Sequence, residues 1–333
     1  MRGNFRFLTY GPVSVSVSSK SKELLRLALV RLEPTFKASL RAKCDWKIEL
    51  TWTETSPCEP NKGSPITLQS QVDGALSDTG RILWNENSVS IINTKTGTIA
   101  ELDFLNKRCR ISGSSNNLPL DARAIIKDVI FPFELAEKSF ILIHGSSFEL
   151  RGTGYLIVGD KGAGKTTTLI SALLDAGGNF ISNDKTWVSP AGVLHGWPEP
   201  VAICNSAVAA RKFELSKLKL VSSGKKIIAY DLLGEFFNTK ITSHCAVKFV
   251  VFPEYLPHQI TSIQDEPYER AKSGLLGQLL DPGLLHTTDS RLFSKVTNLE
   301  ILEKIVKRSK RLSIGHDFCS VFNDFCKTLE RVV

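Results

Sequence analysis

Eight residues, Gly159-Asp160-Lys161-Gly162-Ala163-Gly164-Lys165-Thr166, follow the G-x-x-x-x-G-K-[ST] pattern of a phosphate-binding loop. A polyphosphate needs several donors at short range. Backbone N–H groups turn inward together only where side chains are absent, which accounts for the glycines at 159, 162 and 164. Lys165 supplies a point charge for the β and γ phosphates, and the hydroxyl of Thr166 is of the type that ligates Mg²⁺. With Thr167 opening the helix that follows, whose N-terminus adds partial positive charge, these residues are the expected nucleotide-binding set.

The flanks suit that role. Tyr155–Val158 is a four-residue apolar run of the kind that forms a buried strand, and Leu169, Ile170, Leu173 and Leu174 recur at helical spacing until Gly177-Gly178. Strand, glycine loop and helix come in the order the chemistry requires. The next strand is expected over Asn179–Ser182, ending at Asn183-Asp184. In a parallel α/β sheet ligand groups collect beyond the carboxyl ends of the strands, so Asp184 can approach Mg²⁺ and the γ-phosphate, or can serve as a turn aspartate. His144 precedes a strand that runs toward the same sheet; it can relay a proton, hydrogen-bond a carboxylate, or sit as a satisfied core histidine. Further along, Glu199 in Gly196-Trp197-Pro198-Glu199-Pro200 is a candidate for metal or substrate, or a solvated loop residue. Arg211-Lys212 and Lys225-Lys226 are candidates for steadying phosphate charge in the transition state.

The rest of the chain supplies the frame. Residues 1–115 read as a strand-rich N-terminal α+β domain, with strands over 3–18, Lys47–Trp52, Arg81–Trp84, Ser88–Asn93 and Thr98–Phe104 and one helix over Glu23–Leu32. Ser112–Pro119, SGSSNNLP, reads as a linker. Residues 120–290 are then the nucleotide-binding core, with a helix over 121–133, strands at Phe140–Ile143 and Ser147–Leu150, a hairpin of Thr186–Ser189 with Gly192–Leu194, and a strand at Ala246–Phe252. Residues 291–333 read as a C-terminal helical segment from Leu299, Leu302, Ile305, Val306, Phe318, Val321, Phe322 and Phe325.

At 333 residues, 42% hydrophobic and 23% charged, the composition is that of an ordinary globular protein of about two domains. No apolar run approaches the roughly 20 residues that span a bilayer, and the N-terminus has no continuous apolar h-region, so the expectation is a cytoplasmic protein without a membrane partner. Seven cysteines form no C-x-x-C pair and no zinc-spaced cluster, which fits buried free thiols. The net charge of +8 lies at the ends: residues 1–130 are net +5, 131–290 net −1 and 291–333 net +4. Basic ends could draw an acidic peptide, a nucleic acid or a phosphorylated metabolite, or be merely solvated faces. No aromatics interleave with the basic residues as on a nucleic-acid surface. A homo-oligomer is left open.

His144-Gly145, GDKGAGKTT and the apolar strand ending in Ser182-Asn183-Asp184 together resemble the catalytic core of HPr kinase/phosphorylase and its relatives, which share a phosphate-loop fold with phosphoenolpyruvate carboxykinase. The match runs from about Ile141 to Pro200. The resemblance implies an α/β P-loop kinase core of that type. It also implies ATP and Mg²⁺ as cofactors, and catalytic or metal roles for His144, Lys165, Thr166 and Asp184, with Asp184 as the base that accepts the hydroxyl proton or as the ligand that holds Mg²⁺. Three departures make the chain similar to divergent members: Asn183-Asp184 stands where the family has paired aspartates, Thr167 where a glutamate often follows, and no E-x-R-G-x-G occurs downstream. The implied activity is an ATP- and Mg²⁺-dependent phosphotransferase acting on a hydroxyl, either a serine of a peptide or protein or a small biosynthetic metabolite. A nucleotide-switched NTPase that hydrolyses without an acceptor is the alternative. The absence of N-K-x-D counts against a GTPase.

Overall fold

A computed structural model of the chain describes residues 4–30, 32, 36–39, 44–55, 63–69, 77–85, 88–203, 219–220, 226–280 and 298–318. It is a mixed α/β structure with two large sheets and few helices. The described residues divide into two compact units, one within Met1–Lys138 and the other within Ser139–Asp281 and Lys295–Val333.

In the first unit β1 (Asn4–Tyr10) and β2 (Val13–Ser19) form an antiparallel hairpin, and α1 (Lys22–Leu29) crosses back over the sheet. Ser21 caps α1 by accepting from the N–H of Leu24 at 3.1 Å. There follow β3 (Lys37–Ser39), β4 (Trp46–Trp52), β5 (Ser64–Gln69), β6 (Ser77–Trp84), β7 (Ser88–Asn93), β8 (Ile99–Asp103) and β9 (Arg108–Gly113). Their order in one nine-stranded sheet is β3-β1-β2-β4-β9-β8-β7-β6-β5. Alternation explains β2 and β9: Val13, Val15, Val17, Cys109 and Ile111 are buried on one period of two. The expected linker begins inside β9, and only the short turn after Gly113 separates it from α2 (Leu118–Ile125).

The helix expected over 121–133 is present but interrupted, and it lies in the first unit: α2 passes through a π-helical turn at Ile126–Ile130 into α3 (Phe131–Glu137). Pro132 has no N–H to return to the preceding turn, so the ladder widens before it. Arg123 ties α2 to α1, its guanidinium donating to the carbonyls of Leu27 and Ala28 at 2.7 and 3.3 Å.

The second unit starts with β10 (Ile141–Ile143), β11 (Gly145–Leu150) and β12 (Thr153–Val158), then α4 (Lys165–Leu174) and β13 (Asn179–Ser182). The expected hairpin is β14 (Thr186–Val188) with β15 (Val193–Gly196). A small sheet follows, with β16 (Val201–Ile203), β17 (Lys219–Leu220) and β18 (Lys226–Ile228), and then α5 (Leu233–Phe237). The chain continues with the long β19 (His244–Tyr255), β20 (Ser262–Asp265), α6 (Tyr268–Gly277), β21 (Leu279–Leu280), α7 (Leu299–Val306) and β22 (Ser309–Ile314). The main sheet runs β13-β11-β12-β19-β15-β14-β10-β21, with β22 on the carboxyl half of β19 and β20 beyond it. β12, β19 and β22 are parallel, so their carboxyl ends lie together.

β12 is buried on both faces. Tyr155 and Ile157 pack with Leu169, Ile170 and Leu173 of α4, while Leu156 and Val158 pack with Ala271 and Leu275 of α6 and Ile301, Leu302 and Ile305 of α7. Each such aliphatic side chain contributes about 1.5–3 kcal/mol by leaving water. The uniformly helical reading of 291–333 is corrected at Ser309–Ile314, which is a strand: the outer half of β19 needs a hydrogen-bonding neighbour, and alternating Leu312 and Ile314 fill the α4 face. Residues from 319 onward lie outside the described residues. Among the described residues no helix is long and apolar enough to cross a membrane.

His195 on β15 lies directly opposite His244 on β19, the rings 5.9 Å apart, with Phe140 edge-on at 5.2 Å. Burial first, and the neighbouring His244 second, push the His195 imidazole down to about 4. The unfolded chain therefore binds a proton that the folded one refuses, so this contribution is complete above pH 6.5 and lost as pH falls toward 4. Chemical denaturation at pH 7 and pH 4.5 should show a loss on the order of 2 kcal/mol that His195→Gln abolishes. An unchanged acid slope in the variant would show that His195 is protonated without cost.

Candidate phosphate-binding and transfer site

The loop after β12 bends through left-handed glycines, Gly162 at φ 89° and Gly164 at φ 108°. Gly164 is the residue before α4, and a Cβ there would stand 2.4 Å from Cδ1 of Ile314. Conformation and space both require glycine. The tip residues Asp160, Lys161 and Gly162 are exposed, while Ala163, Thr166 and Thr167 are half-buried. The first-turn N–H groups of α4 have no partner within the helix and point outward at this end.

Lys165 is buried at 7% exposure. Its ammonium folds back along its own loop, donating to the carbonyl of Gly159 at 2.5 Å and to that of Asp160 at 3.2 Å. Burial pulls this amine below the ordinary lysine value, and the negative charges of Asp184 and Asp160 act against the fall. Asp184 is thus electrostatically coupled to Lys165 although 19 residues separate them in the chain.

The coupling follows from sheet order. β13 runs antiparallel to β11, which runs antiparallel to β12, so β12 and β13 finish at the same end and β11 begins there. Asn183 and Asp184 therefore lie beside Ser146 and His144. The N–H of Lys185 returns to the carbonyl of Asn183 at 2.7 Å, closing a three-residue turn with Asp184 at its centre at φ 59°. A non-glycine residue there costs of order 1–3 kcal/mol, and the surroundings must hold it. Asn183, at 1% exposure, is the main clamp: it accepts from Ser146 Oγ at 3.1 Å and donates to Pro200 O and Asp184 Oδ2, each at 3.2 Å. Ser182 Oγ adds a bond to the carbonyl of Lys185 and accepts from the N–H of Trp197 at 3.0 Å.

His144 closes the turn from the other side. Its Nδ1 lies 3.0 Å from the carbonyl oxygen of Asp184. A carbonyl only accepts, so Nδ1 carries the hydrogen and Nε2 of the neutral ring is the basic nitrogen. The main chain of His144 donates to the carbonyl of Gln278 at 2.7 Å, and Gln278 Nε2 donates to Asp160 Oδ1 at 3.0 Å.

His144, the loop from Gly159 to Thr167, and Asp184 thus share one end of the sheet. Glu199 lies on the neighbouring segment and pairs with Lys185 at 3.5 Å. Arg211, Lys212 and Lys225 lie outside the described residues. Sequence reasoning missed Gln278, whose tie to Asp160 spans 118 residues, and the clamp role of Asn183 and Ser146. No local signal marks the first. The second had one, an amide at the end of a buried strand.

A magnesium site fits these donors. Asp184 offers a carboxylate and Thr166 a hydroxyl, and Mg²⁺ usually takes one or two carboxylates, keeping waters and phosphate oxygens for the rest. Among the described residues no group of three or more His, Cys, Asp and Glu could form an all-protein cage.

No family model matches the chain, and no curated protein matches it. Among solved structures, the Hpr(Ser) kinase/phosphatase from Coxiella burnetii is similar over 57% of this chain and 96% of that one, at 11% identity and a TM-score of 0.28. At that TM-score the likeness supports no conclusion about fold or chemistry.

The clamp can be tested at Asn183. Asn183→Asp removes the donor to Pro200 O and sets a second carboxylate beside Asp184 in a buried place. Urea unfolding at pH 7 should show a loss of about 1–3 kcal/mol or more, shrinking toward pH 4 as the new carboxyl protonates. A neutral substitution at pH 7 would mean that the turn at Asp184 is held by other bonds.

Proposed function

We propose that this chain is an ATP-dependent, Mg²⁺-dependent phosphotransferase that moves the γ-phosphoryl group to a hydroxyl of a peptide, a protein or a small metabolite. The observation that carries the reading is that a buried loop lysine and a carboxylate in a left-handed turn lie at the same end of one sheet, on strands with β11 between them, with the carboxylate's charge acting on the lysine. A loop that only bound phosphate would need the lysine and the amides. The additional carboxylate, with a histidine bonded to its backbone, provides what hydroxyl activation requires.

In this reading the loop amides and the first turn of α4 hold the phosphate oxygens, and Lys165 exchanges its bonds to Gly159 and Asp160 for the β and γ phosphates. Thr166 would hold Mg²⁺, which neutralises charge on the phosphate chain when bound, and Asp184 is either the base for the acceptor hydroxyl or a second ligand of that metal. The acceptor oxygen forms its bond to the γ-phosphorus as the bond to the β–γ bridging oxygen breaks. ADP leaves, and the hydroxyl proton passes to Asp184, with His144 Nε2 as the alternative base. Catalysis is then mainly positioning and electrostatics.

Two variants and one assay test this. With γ-labelled ATP, label should appear on an added hydroxyl acceptor; release of free phosphate alone would favour a switch-type NTPase. Lys165→Ala should lower turnover by roughly 10²–10³, and near-normal turnover would overturn the reading. Asp184→Asn should lower single-turnover transfer by roughly 10²–10⁴ while ATP affinity changes far less. Equal loss of Mg²⁺·ATP binding and transfer would make Asp184 a metal ligand and move the base to His144.

A further inference from the structure

β19 runs parallel to the loop strand β12, with Ile157 paired to Val251, so Pro253 comes level with Gly159 where the loop begins. The contacts agree: a Cβ on Gly159 would lie 3.7 Å from Pro253 O, and one on Gly164 3.7 Å from Pro253 Cβ. Faces alternate along the strand. Phe249 and Val251 lie on the α4 side with Tyr155, Ile157 and Leu169, and Val250 lies on the opposite side with Leu156 and Val158. Tyr255 is therefore on the α4 face, two residues and about 7 Å past Pro253. It pairs in register with Ile314, the residue packed against Gly164. The strand thus carries an aromatic ring beyond the phosphate loop on the side from which α4 starts.

That ring is 60% exposed at the end of a strand whose residues Phe249 to Val251 are buried. Its backbone is fixed. Leu256 N donates to Ile314 O at 2.9 Å, His316 N to Gln259 O at 3.2 Å, Gly315 N to Thr261 Oγ1 at 3.0 Å and Thr261 N to Asp317 Oδ1 at 2.7 Å. Gly315 lies so close that a Cβ there would stand 2.2 Å from Gln259 O. The turn that follows Tyr255 is stitched to the end of β22, so the ring stands on a rigid support while its face meets water.

We propose that Tyr255 is the base platform of the nucleotide site, stacking the purine of the triphosphate held by the loop. The inference rests on the proposed nucleotide site and adds which part of the chain reads the rest of the nucleotide. Stacking on an aromatic face is tolerant of base identity, so ATP and GTP gain alike.

Calorimetric titration with Mg²⁺·ATP and with Mg²⁺·tripolyphosphate, which has the phosphates and no base, tests it in wild type, Tyr255→Ala and Tyr255→Phe. Wild type should bind both ligands, ATP the tighter. Tyr255→Ala should weaken ATP about tenfold or more and leave tripolyphosphate unchanged, and Tyr255→Phe should match wild type. ATP affinity unchanged in Tyr255→Ala would overturn the platform and leave the phosphate loop standing. Equal weakening of both ligands would overturn it too, by giving Tyr255 a structural role. Wild type binding neither ligand would overturn the site itself.

Discussion

An ammonium group taken out of water must be answered by oxygen or by negative charge, and Lys165 is answered by both. The carbonyls of Gly159 and Asp160 take its hydrogens, and the carboxylates of Asp160 and Asp184 supply the field that opposes its deprotonation. Much else follows from keeping that arrangement. The loop bends through Gly162 and Gly164 to bring Lys165 back toward its start, and Gly164 must have no side chain because Ile314 of β22 fills the space. β22 in turn exists as a strand because the outer half of β19 needs a partner.

Asp184 is the other half of the arrangement and is held by a different force. Its left-handed backbone is unfavourable, and a set of short polar bonds from Ser146, Asn183, Ser182 and His144 converges on its turn. Most of these groups are buried, where a hydrogen bond lost is not replaced by water. The amide at 183 suits this better than a carboxylate, since it must accept from Ser146 and donate to Pro200 and Asp184 at once.

Local pattern made the heart of the second unit readable. β12, the loop, α4, β13 and the β14–β15 hairpin depend on short-range signals: an apolar run, glycines at fixed spacing, helical periodicity, a turn at Pro190-Ala191-Gly192. What was not readable depends on distant partners. SKRLSI at 309–314 is short and sits next to a strongly helical pattern, and only its pairing with β19 makes it a strand. The break at Ile126–Ile130 follows from Pro132, but periodicity across 121–133 hides it. Gln278 carries no motif, and its place beside the loop comes from a hydrogen bond to Asp160 across 118 residues; Tyr255 carries none either, and its position follows from the register of β19. That His144, Lys165 and Asp184 lie at one end of the sheet could be expected from the rule that ligand groups gather at strand ends, whereas the γ-type turn and the tautomer of His144 could not.

The central claim is that Lys165 and Asp184 face one polyphosphate. A crystal structure with Mg²⁺ and a non-hydrolysable ATP analogue measures this directly. The account predicts the γ-phosphate within hydrogen-bond distance of Lys165 Nζ, the lysine released from the carbonyls of Gly159 and Asp160, and the Asp184 carboxylate facing the metal or the acceptor side of that phosphate. An analogue bound elsewhere, or a Lys165 still bonded to its own loop with the nucleotide in place, would contradict it.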